Sequence, residues 1–376
     1  MRLNRLSVRV AIVASLALAA CTSNGSPEAE LIVVDPTSSD GQEEVQFAVN
    51  DALCTGHDCS GTILAACYDA TLSENMLCRL NADGSGTEDA LTVGAAFVDP
   101  APDGRHLLLF SSSDSVALLA SDGTVVREAL PDSARWLTSD QIIVGGANGG
   151  FEIVDLEGTL VATVPANSAA GTEMDTDVSA SPDGMAFIAP TEFRIDSPTE
   201  FWVYRFETKL WSEIGYRPPW VQADGVASWS PDASTIYVLA QTAPGDDFEP
   251  DQLLTSELVA VDIASGDHRV VARFGHMAYL AGVLSPDGRI MAVRSTNRTV
   301  FVDVATGVVS NQVVTGATSR YPSVSWSPSS DRLALEIGTR IAVIDVSPEL
   351  EASVPRVMSR DDHYSAYLNP LWPSSD

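Results

Sequence analysis

The sequence predicts an all-β chain folded as a β-propeller of four-stranded antiparallel blades, and three observations lead there. First, an apolar strand, a Pro-Asp-Gly turn and a second apolar strand recur, at Pro102-Asp103-Gly104, Pro182-Asp183-Gly184, Pro231-Asp232-Ala233, Pro286-Asp287-Gly288 and, worn, Pro328-Ser329-Ser330. Pro presets φ for such a turn and Gly supplies the positive φ. Second, a strand running into a Gly-containing turn recurs near Asp83-Gly84, Asp122-Gly123, Asp155 to Gly158, Asp262 to Gly266 and Asp303 to Gly307, with Gly-less copies at Arg205 to Lys209 and Asp345. The mean step is about 44 residues, within the roughly 40–45 of a propeller blade. Third, strands such as Leu107 to Phe110, Ile142 to Val144, Ile236 to Leu239, Ile290 to Val293 and Leu333 to Leu335 are continuously apolar. Both faces of each sheet are therefore buried, as in a blade packed between two others. Seven blades fit best, with six and eight as the alternatives.

Gly282 to Val309 is the clearest unit: strand, Pro-Asp-Gly turn, strand, polar tip, strand, Ala-Thr-Gly turn, strand. That order is a four-stranded meander. Between Pro102 and Pro182 one unit lacks its Pro-Asp-Gly, and Trp136 to Val144 fills the place.

Met1 to Ala20 opens with Arg2, Arg5 and Arg9, continues through an apolar run and ends in small residues, the pattern of an export signal. Leu18-Ala19-Ala20-Cys21 looks like the lipobox of bacterial lipoproteins, which implies acylation of Cys21. Residues 21–29 then read as a lipidated Cys and flexible tether, and 30–376 as a single propeller domain. Leu31 to Asp35 and Val45 to Val49 are candidate strands ahead of the first full hairpin.

Cys54, Cys59, Cys67 and Cys78 are an even set in an exported chain, which implies disulfides. The hairpin of Ile63 to Cys67 and Met76 to Leu80, centred between Leu72 and Ser73, would set Cys67 opposite Cys78 and leave Cys54 and Cys59 to close a small loop.

The formal charge is −30, and loss of the first twenty residues with their three arginines takes it to −33. Such a field repels phosphate backbones and anionic lipid, so nucleic acid is excluded and membrane contact is expected through the lipid anchor only. It favours a protein partner with a basic surface. Of 21 basic residues only Lys209 is a lysine.

Two units carry insertions between their second and third strands, Thr191 to Glu200 and Gln241 to Asp251. They share one face of the disc with the blade connections, and the repeated turns occupy the other. Function in repeat folds concentrates in such insertions. The candidate binding rim is Phe193, Trp220 and Phe248 with Asp246 and Asp247, and Tyr216 is expected on the same side.

The turns Trp229-Ser230-Pro231-Asp232 and Trp326-Ser327-Pro328 resemble the repeats of the TolB-like, WD-repeat-like β-propeller family, over roughly Gly61 to Arg356. The resemblance implies a periplasmic or surface protein that binds other proteins. Some similar propellers form half of prolyl-peptidase-like enzymes, but here no catalytic domain follows. The tail Ala366 to Asp376 is similar to Tyr321 to Asp331, as though one more inner strand follows the last blade and closes the ring.

No catalytic motif is present. There is no Gly-x-Ser-x-Gly elbow, and His57, His106, His268, His276 and His363 have no metal-ligand spacing. Asp246, Asp247, Glu249 and Asp251 offer hard oxygens for Ca²⁺ but lack a calcium-loop spacing, so no cofactor is expected. The leading expectation is a non-catalytic scaffold at the cell envelope. The alternative is a propeller enzyme of lactonase or glycan-cleaving type with a polar site at the axial channel.

Overall fold

In the computed structural model seven antiparallel sheets surround one axis, six of four strands and one of three among the described residues. The structure describes residues 62–371 except 70–73, 82–86, 94, 104, 112–115, 121–124, 147, 171–177, 192–199, 217–225, 243–254, 275–280, 296–297, 311–323, 338–339, 354–355 and 358–363. The candidate strands at Leu31 and Val45 lie outside them.

Blade 1 joins the two ends of the chain. Its innermost strand is the last one, β27 (Tyr364–Leu371), paired with β1 (Thr62–Asp69), then β2 (Glu74–Asn81) and β3 (Thr87–Val93). The extra inner strand expected from the tail is thus present, and it closes the ring. Blade 2 is β4 (Ala95–Pro100), β5 (His106–Ser111), β6 (Val116–Ala120) and β7 (Val125–Leu130); blade 3 is β8 (Arg135–Trp136), β9 (Gln141–Gly145), β10 (Phe151–Asp155) and β11 (Leu160–Val164). Blade 4 is β12 (Ser179–Ala180), β13 (Ala186–Pro190), β14 (Phe201–Arg205) and β15 (Leu210–Ile214); blade 5 is β16 (Val226–Trp229), β17 (Thr235–Thr242), β18 (Thr255–Asp262) and β19 (His268–Phe274). Blade 6 holds β20 (Ala281–Leu284), β21 (Ile290–Arg294) and β22 (Thr299–Asp303), with an isolated bridge from Val302 to Val309 on its outer edge. Blade 7 is β23 (Val324–Trp326), β24 (Arg332–Ile337), β25 (Arg340–Asp345) and β26 (Arg356–Val357).

The innermost strands touch in series around the axis: β27 with β4, β4 with β8, β8 with β12, β16 with β20, β20 with β23 and β23 with β27. The remaining step, β12 to β16, is spanned by the Trp229 indole donating to the Ser179 carbonyl at 3.1 Å. The same bond recurs from Trp136 to Asp99 O at 2.9 Å and from Trp326 to Val283 O at 3.0 Å, each time onto the preceding blade.

Continuously apolar strands are explained by where the core lies. Each buried cluster draws on two consecutive blades: Ile188, Phe201 and Val203 of blade 4 meet Trp229, Ile236 and Val259 of blade 5, and Ala292 and Phe301 of blade 6 meet Leu333, Leu335 and Ile344 of blade 7. In β14, four consecutive side chains, Phe201 to Tyr204, are buried. Tyr216 belongs to this core too, at 8% exposure against the His268 ring, so its place is between blades rather than on the rim.

The Ser-Pro-Asp-Gly turn is a repeated hydrogen-bonded cassette. The Ser181, Ser230 and Ser285 hydroxyls each donate to the Asp two residues on at 2.6 Å and accept from the amide five residues on at 2.9 Å. Blade 7 keeps the cassette with Asp331 in place of the missing Asp, taking bonds from Ser327 and Ser329. The fourth turn residue has positive φ at Gly184, Ala233, Gly288 and Ser330. At Gly288 a Cβ would also stand 2.7 Å from Pro231 Cδ of blade 5. The outer turns work alike, the Asp262 and Asp303 carboxylates accepting from the amides two and three residues on.

Two predictions follow from the turns. Ala233, at φ 57, carries a Cβ where Gly184 and Gly288 have none, so Ala233→Gly should stabilise the protein by about 0.5–1 kcal/mol in urea unfolding, and Gly288→Ala should destabilise it by about 1–3 kcal/mol. The second concerns acid. The Ser181 and Ser230 hydroxyls hold Asp183 and Asp232 below the usual carboxylate range, and the Ser265 and Thr306 amides do the same for Asp262 and Asp303. A carboxyl whose folded pKa is depressed contributes stability when ionised and loses it as pH falls through the folded value. Urea midpoints should therefore be level above about pH 5 and fall steadily below about pH 4, with Asp183→Asn flattening part of that fall.

Candidate functional site

Strand direction assigns the two faces of the disc. The innermost strands β12, β16 and β20 run towards their Ser-Pro-Asp-Gly turns or the Ser-Pro-Asp-Ala copy, and the other innermost strands run the same way, so the first-to-second-strand turns and the turns between third and fourth strands lie on one face. The links between second and third strands, and between blades, lie on the other. Both insertions leave from this second face. Thr191 and Glu200 form the base of one, the Thr191 amide donating to Glu200 O at 2.8 Å and the Glu200 amide to Thr191 Oγ1 at 3.0 Å. The Glu200 carboxylate also accepts from the Trp202 indole at 3.3 Å. In blade 5 the strands run on to the pair Thr242 and Thr255, so Gln241 is part of β17 and the excursion is 243–254 rather than the expected 241–251. A longer ladder absorbs its first residues.

The rim residues Phe193, Trp220, Asp246, Asp247 and Phe248 lie outside the described residues, as do Cys21, Cys54, Cys59 and the Glu249 and Asp251 carboxylates. What the structure supplies is the pedestal: two paired stems at one face of the neighbouring blades 4 and 5.

The hairpin register corrects one expectation. Cys67 stands opposite Met76 and Cys78 opposite Ala65, so the two cysteines are displaced by two positions instead of facing each other. Cys78 is fully buried and disulfide-bonded, and its partner lies outside the described side chains.

The axial region is poor in chemistry. Among the described residues of the innermost strands, Asp99 and Arg135 alone are carboxylate, histidine or basic; their companions are mostly Ala, Ser, Gly, Val and Trp. The Arg135 guanidinium donates to the Ala134 and Asp132 carbonyls at 2.9 and 3.2 Å and lies 5.1 Å from the Phe110 ring centre. No group of three His, Cys, Asp or Glu able to hold a metal occurs among the described residues.

A buried charge pair escaped sequence reading. Arg294 ends β21 and Glu336 lies at the equivalent step of β24, each 1% exposed, and the Arg294 guanidinium donates to the Glu336 carbonyl. Desolvation brings the Arg294 pKa down to about 10, the Glu336 carboxylate acting in the other direction, so Arg294 stays charged at neutral pH. Opposite charges at one step of two successive repeats are the signal that could have revealed it. Removing one member strands the other charge. Arg294→Met should thus cost about 3–5 kcal/mol in equilibrium unfolding, and Arg294→Met with Glu336→Leu should recover most of that.

These features define a closed, antiparallel β-propeller with a conserved-geometry turn face and an insertion-bearing face. No protein-family profile matches the sequence, and no curated protein matches it. Among solved structures the chain is similar to the crystal structure of TolB from Acinetobacter baumannii, with 16% identity over 85% of this chain and 68% of that one, and a TM-score of 0.46.

Proposed function

We propose that this protein is an extracytoplasmic propeller, anchored through lipid on Cys21, that acts as a non-catalytic scaffold and binds a protein with a basic surface through its insertion face. The carrying observation is that the paired stems of the two insertions, at Thr191 and Glu200 and at Thr242 and Thr255, stand at the same face on the consecutive blades 4 and 5. Phe193, Trp220 and Phe248 are the proposed aromatic anchors, and Asp246 and Asp247 supply the charge that steers a basic partner. Cys54, Cys59, Cys67 and Cys78 form two bridges at the N-terminal end of the domain in this reading. An axial catalytic site would need several carboxylates or histidines converging from different blades, and the described inner strands bring one carboxylate.

The test begins with crosslinking in the envelope to identify the partner. Residues 192–199 and 243–254 are then replaced separately by short Gly-Ser turns, which the stems should tolerate. Each replacement is expected to weaken partner binding by about tenfold or more, a loss of one or two anchors, with the unfolding midpoint little changed. Two folded variants that keep full affinity would overturn the assignment of this face. Cys21→Ser should independently release the protein from the membrane fraction, and a wild-type chain without covalent lipid by mass spectrometry would overturn the anchor.

A further inference from the structure

Every large hydrophobic side chain exposed among the described residues lies on the turn face or its rim. They are the pairs Val125–Val126 and Leu160–Val161, Met185, Leu210, Val270 and Val308. Val125–Val126, Leu160–Val161 and Leu210 open the fourth strands β7, β11 and β15, Val270 is the third residue of β19, Val308 follows the outer turn at Gly307 in blade 6, and Met185 follows the Gly of a Ser-Pro-Asp-Gly turn. Exposure is substantial, 66% at Leu210, 57% at Val308 and 54% at Leu160. Each strand could have carried a polar residue there at no cost to packing, since strand edges in water are usually guarded by charge.

We infer that this rim rests on a lipid surface, so that the turn face is the membrane-proximal face of the propeller and the insertions point away from the bilayer. The inference rests on the anchor reading above. Three observations select lipid over other occupants. The N-terminal segment, which carries the basic-apolar run ending in Cys21, enters β1 at Thr62, so the anchor of the proposed reading joins the disc on the turn face. The aliphatics are spread singly or in pairs over five successive blades, an array that suits a flat, fluid surface better than a shaped pocket. A second copy laid face to face would oppose Glu157, Asp183, Asp232, Asp262 and Asp287, all exposed here, to their own images. The same carboxylates and the −30 formal charge require that the contact be apolar and the lipid zwitterionic. Binding should therefore persist in high salt and weaken on anionic vesicles.

The experiment uses the mature, Cys21-acylated protein on phosphatidylcholine vesicles, with carbodiimide labelling of carboxylates read by mass spectrometry. Glu157, Glu207 and Asp267 report on the turn face, and Asp132 and Glu213 on the other side. We expect the first group to be labelled about fivefold less than in a variant carrying Leu160→Ser, Leu210→Ser and Val308→Ser, with the second group labelled equally in both. Equal labelling of the first group in the two anchored proteins overturns the proposal. Should Cys21 prove to carry no lipid, the anchor reading fails by itself, and flotation of the unlipidated full chain with the same vesicles decides the rim. Flotation lost in the triple variant upholds it, and absence of flotation overturns it as well.

Discussion

The structure depends on one long-range pairing, that of β27 with β1. About 300 residues separate these strands, and until they meet the ring has two open ends. Each blade buries its faces only against its neighbours, because every apolar cluster is shared between consecutive sheets. An open array would leave one face of blade 1 and one of blade 7 in water. Closure gives β27 contacts with β24 and β25 on one side and β4 on the other, which buries both at once. Loop-closure entropy grows only slowly with length, so the cost of joining distant ends is modest beside two buried sheet faces.

Packing alone would let neighbouring sheets slide, and directional bonds set their register. The Trp136, Trp229 and Trp326 indoles each seek a carbonyl on the preceding innermost strand. On the turn face arginines do the corresponding work in the other direction. Arg205 donates to Ile263 O, Arg269 to Val304 O and Arg289 to Pro348 O, each on the following blade. Arg127 lies over the turn at Gly158, where a Cβ would meet its guanidinium at 1.9 Å. The near absence of lysine acquires a reason here. A planar guanidinium stays charged and presents several donors in a fixed fork, which suits a bond to a neighbouring turn better than a flexible ammonium. Lys209, the exception, is an exposed turn residue at φ 55.

The fold was legible because its turns carry their own chemistry. Pro, Asp and Gly specify the cassette locally, and even the unit without them, Trp136 to Val144, appears where the period placed it, as β8 and β9. Legibility failed where a turn lacks such residues. The segment between the paired Asp69 and Glu74, Ala70-Thr71-Leu72-Ser73, has no Pro or Gly to mark a centre in the sequence, and the register places that centre one residue earlier than expected. In an antiparallel ladder each residue of displacement moves a cross-strand partner by two, which is why Cys67 meets Met76. Tyr216 was misplaced for a different reason: an aromatic ring serves a core or a surface equally well, and only the His268 ring across the blade boundary decides. Arg294 and Glu336 are 42 residues apart and meet only because the repeat stacks one blade on the next.

The division between the two faces follows from this dependence on turns. On the turn face Ser, Asp and the left-handed residue are committed to hydrogen bonds and to contacts with the adjacent blade, as at Gly288 against Pro231 and Gly307 against the Val271 carbonyl. Just past these turns stand exposed aliphatics, at Val125, Leu160, Met185, Leu210 and Val308. On the opposite face the links between second and third strands have no shared geometry to satisfy, so a blade can lengthen there without disturbing its neighbours. Blades 4 and 5 do so above intact ladders. A repeat fold of this kind therefore separates what it holds constant from what it elaborates by strand polarity alone.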